Sequence, residues 1–128
     1  MKKFKGMMTS LSPHWATPKW VYDELDNEFH FDFDPCPLQS SIDGLNIPWG
    51  RINYINPPYG RSIGLWIKKA YESSSVCVML LPARTDTKWW HDYIMKADEI
   101  RFIKGRLKFG DSKNSAPFPS CVVIFRGL

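Results

Sequence analysis

Residues 52–82 read INYINPPYGRSIGLWIKKAYESSSVCVMLLP, and the alternation of apolar and breaking residues in this stretch sets the architecture. INYIN is a short apolar run halted by Pro57 and Pro58, which have no backbone N–H to give a ladder. It reads as a strand with Asn56 at its carboxyl end. GRSIGLWIKKAYESS then spaces Ile63, Trp66, Ile67, Ala70 and Tyr71 for burial along one side of an amphipathic helix. SVCVMLLP has no polar alternation, the pattern of a strand buried on both faces in a parallel sheet. Strand, helix and strand in this order make one crossover unit.

Working outward, TPKWVYDELDNEF reads as a helix, with Thr17 as N-cap, Pro18 at the first helical position and Trp20, Val21, Leu25 and Phe29 along its apolar side. HFDFDP alternates Phe29, Phe31 and Phe33 against His30, Asp32 and Asp34, which predicts a strand ending at Asp34 and stopped by Pro35. PCPLQSSIDGLNIPWG is rich in turn formers and reads as irregular. Beyond residue 82, TKWWHDYIMK predicts a short helix, and DEIRFIKG, GRLKFG and SCVVIFRG predict strands. The order gives an α/β protein with a mostly parallel sheet and an antiparallel C-terminal strand pair. Residues 1–128 read as one domain with a loose segment over 1–13.

The chain has 128 residues and a net charge of +4, unevenly placed. Residues 1–64 hold 6 Lys/Arg against 7 Asp/Glu, and residues 65–128 hold 11 against 6. The basic excess is densest in IRFIKGRLKFGDSK, where Arg101, Lys104, Arg106, Lys108 and Lys113 stand near a single acid, Asp111. Such a stripe interleaved with aromatics is either a nucleic-acid footprint or a solvated face. Cys36, Cys77 and Cys121 form no CxxC pair, and His14, His30 and His91 lack metal-site spacing, so neither a disulfide scaffold nor a zinc module is expected. The N-terminus has no apolar signal-peptide region and the longest apolar run, VCVMLLPA, is too short to span a bilayer. A soluble cytoplasmic protein with no membrane partner is the expectation.

In open α/β sheets ligands bind beyond the carboxyl ends of strands. Two predicted strands end in unusual polar chemistry, Asp34-Pro35-Cys36-Pro37 and Asn56-Pro57-Pro58-Tyr59. Asn56 is either a turn former or a positioned hydrogen-bonding group. In the second case its side-chain oxygen and the Pro57 carbonyl are two acceptors held in a stiff bend, matched to an NH2 group with two protons to donate. Tyr59 adds a flat face for a planar ring. An exocyclic amine is a poor nucleophile because its lone pair is delocalised; accepting both protons draws the nitrogen towards tetrahedral geometry. The pattern suits group transfer to an aromatic or amide NH2, driven by positioning and electrostatics.

Asn-Pro-Pro-Tyr resembles the catalytic tetrapeptide of S-adenosylmethionine-dependent amino-methyltransferases. With WATPKWVYDEL, FDFDPC, LLPARTDTKWWH and SAPFPSCVVIF, in that order from Trp15 to Phe125, the chain resembles the small phage and prophage DNA N-6-adenine methyltransferases, a Dam-like family. The resemblance implies a reduced Rossmann-like methyltransferase fold, S-adenosyl-L-methionine as cofactor, and transfer of its methyl to the amine of a flipped adenine in double-stranded DNA. It implies that Asn56 and the Pro57 carbonyl hold the amine, that Pro58 stiffens the bend, and that Tyr59 stacks on the base. Thr17 and Pro18 would lie against the methionine end of the cofactor. Asp34, with Pro35 and Cys36 after it, would meet the amino or sulfonium region. Asp43 serves either the ribose hydroxyls or a turn, and Phe118 either the base or the core. From the residues themselves, Arg84, Lys88, Arg106 and Lys108 are candidate phosphate contacts, with a helix cap at Asp86 or Thr87 the plainer reading of the ARTDTKWWH loop. A bacterial host cytoplasm is implied for a phage-encoded chain, and a homo-oligomer is left open.

The sequence departs from the full methyltransferase pattern in two places. DPCPLQSS has no glycine, and only 22 positions separate Asp34 from Asn56, too few for further strand–helix units. A separate target-recognition domain is not expected. Competing readings keep the chemistry but methylate RNA or a protein glutamine amide, or keep the fold as a nucleic-acid-binding module without catalysis.

Overall fold

In the computed structural model, residues 16–37, 43–110 and 114–127 are described. The expected loose segment over 1–13, His14, and Asp111 and Lys113 of the basic stripe lie outside them. The elements run α1 (Lys19–Phe29), β1 (Ile52–Ile55), α2 (Ile63–Glu72), β2 (Val76–Pro82), α3 (Lys88–Asp92), β3 (Glu99–Phe102) and β4 (Ser120–Phe125), with 3-10 turns at Gly44–Asn46 and Ile94–Lys96.

The 52–82 unit forms as its pattern dictates: β1 and β2 pair in parallel, from Ile52 opposite Val76 to Ile55 opposite Met79. The sheet order is β1-β2-β4-β3, with β4 antiparallel to both neighbours. β3 therefore points the same way as β1 and β2. Their carboxyl ends and the amino end of β4 share one edge, which brings Asn56, Arg84, Ile103 and Phe118 to that side of the molecule.

β2 is apolar throughout because both faces are covered. Cys77, Met79 and Leu81 pack with Ile63, Trp66, Ile67, Ala70, Trp90 and Ile94 on the α2–α3 side. Val78 and Leu80 pack with Tyr54, Val21, Leu25, Leu107, Phe109 and Phe118 on the α1 side. Each such fully buried side chain contributes about 1.5–3 kcal/mol. At the entry to β1, Asn53 is buried and fully used. Its Oδ1 accepts from Gly50 N at 2.8 Å, and its Nδ2 donates to Gly50 O at 3.0 Å and Val76 O at 3.1 Å.

The structure corrects five expectations. The sheet is mixed rather than mostly parallel: among the described strands β1 and β2 pair in parallel, while β4 runs against both β2 and β3. HFDFDP does not form a strand: His30 leaves α1 in the left-handed region (φ 57°), and Phe33 makes an isolated parallel bridge to Asn53. Two backbone bonds to β1 remain, Asp32 N to Ile52 O at 2.9 Å and Tyr54 N to Phe33 O at 3.0 Å. Carboxylates take the neighbouring N–H groups, Asp26 accepting from Phe31 N and Asp32 from Arg51 N and Ile52 N. GRLKFG keeps a strand's alternation, Leu107 and Phe109 inward and Arg106 and Lys108 outward. Its backbone partners are split, however, with Leu107 O accepting from Ala116 N and Gly110 N donating to Ala16 O, so no ladder forms. α1 starts at Lys19 with Pro18 as N-cap residue, and Thr17 makes no capping bond because its hydroxyl is engaged elsewhere. Trp20 lies outside the apolar face of α1, 55% exposed. Among the described residues no helix is long and apolar enough to cross a membrane.

Candidate functional site

The site grows from the end of β1. Pro57 and Pro58 end the pairing, and Asn56 is held half-buried at the turn. Asn56 Nδ2 donates to Thr17 Oγ1 at 3.1 Å, and Thr17 Oγ1 lies 2.6 Å from the Tyr54 hydroxyl. Tyr54 precedes Asn56 by two residues, so the two share a face of the strand. Its ring meets Tyr22 edge-on at 5.1 Å and Phe31 at 5.3 Å. Burial raises the Tyr54 phenol well above its ordinary range, with Thr17 opposing and the nearby Asp34 carboxyl reinforcing the shift.

The Phe33 bridge delivers Asp34 to the same edge, beside β1. Its Oδ1 accepts from Cys36 N at 2.8 Å. Burial raises the Asp34 carboxyl above its ordinary value, and the Cys36 N–H only partly offsets this. An anion so placed is incompletely compensated and suits a cationic companion. Pro35 is buried, and its carbonyl is covered by the Gly44 turn. A Cβ on Gly44 would stand 1.9 Å from Pro35 O and 2.7 Å from the Trp66 ring, so this close approach requires glycine. The Cys36 thiol is pushed up to about 11 by burial and by Asp34, so it stays protonated at neutral pH and is no nucleophile.

Tyr59 turns its hydroxyl inward, donating to Leu80 O at 2.8 Å. Its ring meets Phe118 at 5.6 Å and Phe109 at 6.3 Å, both edge-on. Burial holds its phenol well above the ordinary value. Phe118 is core, 6% exposed, and also carries the Arg84 guanidinium 5.6 Å from its ring centre. Arg84 is thereby set on the rim beyond β2. Arg106 and Lys108 are exposed on the outer side of the segment whose inner side, through Phe109, touches Tyr59. Lys88 is exposed and paired with Asp92, and Thr87 rather than Asp86 caps α3 by accepting from Trp90 N.

Asn56, Tyr59, Thr17 and Asp34 thus lie towards one edge with Arg84 on its rim, while Arg106 and Lys108 are exposed on the outer side of the segment that backs Tyr59. Two residues have partners within the chain. Asp43 accepts from Leu45 N and Asn46 Nδ2, which is the turn-forming alternative. It lines a groove of about 780 Å³ with Trp49, Leu65 and Lys69 that reaches Ser73–Ser75, at the amino end of β2. Arg101 of the basic stripe is consumed by acids, bidentate to Glu28 at 2.7 and 2.8 Å and bonded to Glu99 at 2.6 Å. Sequence reasoning missed Tyr54, which reads as an ordinary core aromatic in INYIN; only its i−2 spacing from Asn56 hinted at a shared face. It also missed Lys69, which donates to Leu45 O at 3.0 Å and Ile47 O at 2.6 Å and ties down the loop before β1.

Comparison with known proteins gives a consistent result. The family described as "DNA N-6-adenine-methyltransferase (Dam)" matches residues 7–127. A "DNA N-6-adenine-methyltransferase" of Haemophilus phage HP1 (strain HP1c1) is 28% identical over 133 residues, covering 87% of this chain and 77% of its own length. A protein of the same description from Escherichia phage T1 is 27% identical over 124 residues, covering 83% of this chain. The match spans 52%, about half, of the T1 protein. No solved structure matches.

Proposed function

The chain belongs to the DNA N-6-adenine-methyltransferase (Dam) family, and from that premise we propose that Asn56 and the Pro57 carbonyl hold the N6 amine of a flipped adenine while it is methylated. The observation that carries this reading is the Asn56 carboxamide, held by Thr17 at a proline-stiffened strand end, with the Asp34 carboxyl on the same edge.

S-adenosyl-L-methionine, when bound, supplies an electrophilic methyl on a sulfonium centre. The residues fit its cationic end: Asp34 is a half-buried carboxyl whose pKa burial raises, and a positive neighbour would offset that cost of burial. Thr17 and Pro18 at the start of α1 would face the methionine end, and Pro35 and Cys36 would continue the wall. Asp43 holds its turn through Leu45 N and Asn46 Nδ2 and keeps acceptor capacity with which it would meet ribose hydroxyls. We read the sheet as a reduced Rossmann-like sheet, since three strands run the same way and the candidate groups lie beyond their carboxyl ends.

Asn56 and the Pro57 carbonyl accept the two amine protons, which localises the nitrogen lone pair for attack. With the cofactor bound, the nitrogen would gain the methyl carbon as its bond to the sulfonium sulfur breaks, leaving a neutral thioether, and the methylated amine would then release one proton to water. Tyr59 offers its ring to the base from a frame of Phe109 and Phe118. The base must leave the stack to reach this edge, which costs a few kcal/mol and is offset by contacts to the displaced strand. Arg84, Arg106, Lys108 and Lys88 are the exposed cations for phosphates of double-stranded DNA, and a phage-encoded enzyme would meet that DNA in the host cytoplasm. Incubation with the cofactor and DNA, followed by nucleoside mass analysis, tests the reading. N6-methyladenine in the DNA is expected, and label confined to RNA or protein would overturn it.

A further inference from the structure

Resting on the reaction proposed above, we infer that Thr17 and Tyr54 are positioning residues for Asn56, holding its carboxamide nitrogen towards the start of α1 so that its oxygen serves the target amine. The two ends of a carboxamide are nearly equal in size, and its terminal torsion is broad and roughly two-fold. A half-turn about that bond exchanges donor for acceptor with little steric consequence. The distinction is decisive for catalysis, because an adenine amine presents two donors and a flipped Asn56 would meet them with two more.

Asn56 Nδ2 donates to Thr17 Oγ1 at 3.1 Å, and Asn56 Oδ1 is buried. A flipped carboxamide could instead accept the hydroxyl proton, so the contact selects this orientation where Thr17 gives that proton to Tyr54 and its oxygen is left to accept. Thr17 is fixed in turn by Tyr54, whose hydroxyl stands 2.6 Å from Oγ1. Tyr54 is 2% exposed and wedged between Tyr22 and Phe31, so the phenol is a stiff post. The threonine hydroxyl has one proton and two lone pairs; Asn56 takes one lone pair and Tyr54 takes one further position. When Thr17 donates to Tyr54, its oxygen becomes a better acceptor for Asn56, as linked hydrogen bonds polarise one another. The three residues come from two segments, 37 and 39 positions apart from Thr17 to its partners. Their meeting is a product of α1 packing on β1, and the same packing would turn a loose Asn into an oriented one.

The test compares Thr17→Val, Thr17→Ser and Tyr54→Phe with the wild-type chain. At saturating cofactor, so that any change in cofactor Kd from its place beside the methionine end is removed, Thr17→Val should lower kcat about two- to twelvefold, the factor that one ordinary hydrogen bond represents, with the KM for DNA unchanged. Thr17→Ser should restore the rate, and Tyr54→Phe should fall in the same direction by less. A raised cofactor Kd with an unchanged kcat in Thr17→Val would overturn the inference and return Thr17 to the cofactor alone. A second measurement uses the free protein. The Asn56 side-chain NH2 pair in a ¹H–¹⁵N spectrum, assigned by its loss in Asn56→Asp, should move in Thr17→Val and return in Thr17→Ser; an unmoved pair refutes the contact. Should the wild-type chain methylate no DNA, the proposed reaction falls, and the NH2 pair still decides whether Thr17 orients Asn56.

Discussion

Tyr59 separates the work of a ring from that of a hydroxyl. Tyr59→Phe removes the bond to Leu80 O, 2.8 Å long, and leaves the edge-on contacts to Phe109 and Phe118. A single neutral hydrogen bond contributes about 0.5–1.5 kcal/mol net, so Phe should destabilise by about that much. Tyr59→Ala also deletes the ring, whose two aromatic contacts are each worth about 0.5–1.5 kcal/mol beyond buried area. It opens a cavity besides, for a total of about 3–5 kcal/mol. Urea unfolding reads both losses as shifts in midpoint at constant slope. Turnover, measured where each variant remains folded, should follow the ring. Phe should stay within about tenfold of the wild type, the equivalent of 1.4 kcal/mol. Ala should lose about 5- to 150-fold in kcat/KM, the range for one base-stacking contact of about 1–3 kcal/mol. Equal catalytic losses in Phe and Ala would refute a stacking role and assign the effect to the hydroxyl's hold on β2.

Three further outcomes are expected. Asn56→Ala should abolish methyl transfer while calorimetric cofactor affinity persists and the melting temperature shifts by only about 4–8 °C per kcal/mol lost; near-normal turnover would remove the mechanism. Asp34 has a raised pKa in the folded chain, so its effect on stability is least harmful at low pH. It becomes fully unfavourable as pH climbs from the ordinary carboxylate value through the raised one. Asp34→Asn should therefore stabilise the free protein at neutral pH and weaken cofactor binding, and a variant less stable at pH 7 contradicts the burial argument. Replacing Arg106 and Lys108 together by Ala should flatten the plot of log affinity for DNA against log salt by about 1.8, at about 0.9 per lost phosphate contact. An unchanged slope would make these two cations a solvated face.

Much of the fold was legible because its signals are local. Pro57 and Pro58 cannot donate to a ladder, and the apolar spacing of α2 and the unbroken β2 leave few alternatives. The failures share one cause. In HFDFDP the alternation was real, but Asp26 and Asp32 took the backbone N–H groups of residues 31, 51 and 52. A side chain that competes with the ladder is invisible to periodicity. Leu107 and Phe109 kept a strand's alternation while their segment bonded to two different partners, which no count along the chain can reveal.

By itself the sequence determined the strand–bend–helix–strand unit, the apolar faces and the chemical type of the groups at Asn56, Tyr59 and Asp34. Each follows from steric and hydrogen-bonding properties of neighbours within one or two turns. Tertiary structure alone decided what those groups meet. It turned Thr17 from a cap into the partner of Asn56 and Tyr54. It also spent Arg101 on Glu28, 73 positions away, leaving Arg106 and Lys108 outside. The reason is physical: a long-range hydrogen bond or ion pair depends on which elements pack together, and that choice belongs to the summed burial of the whole core.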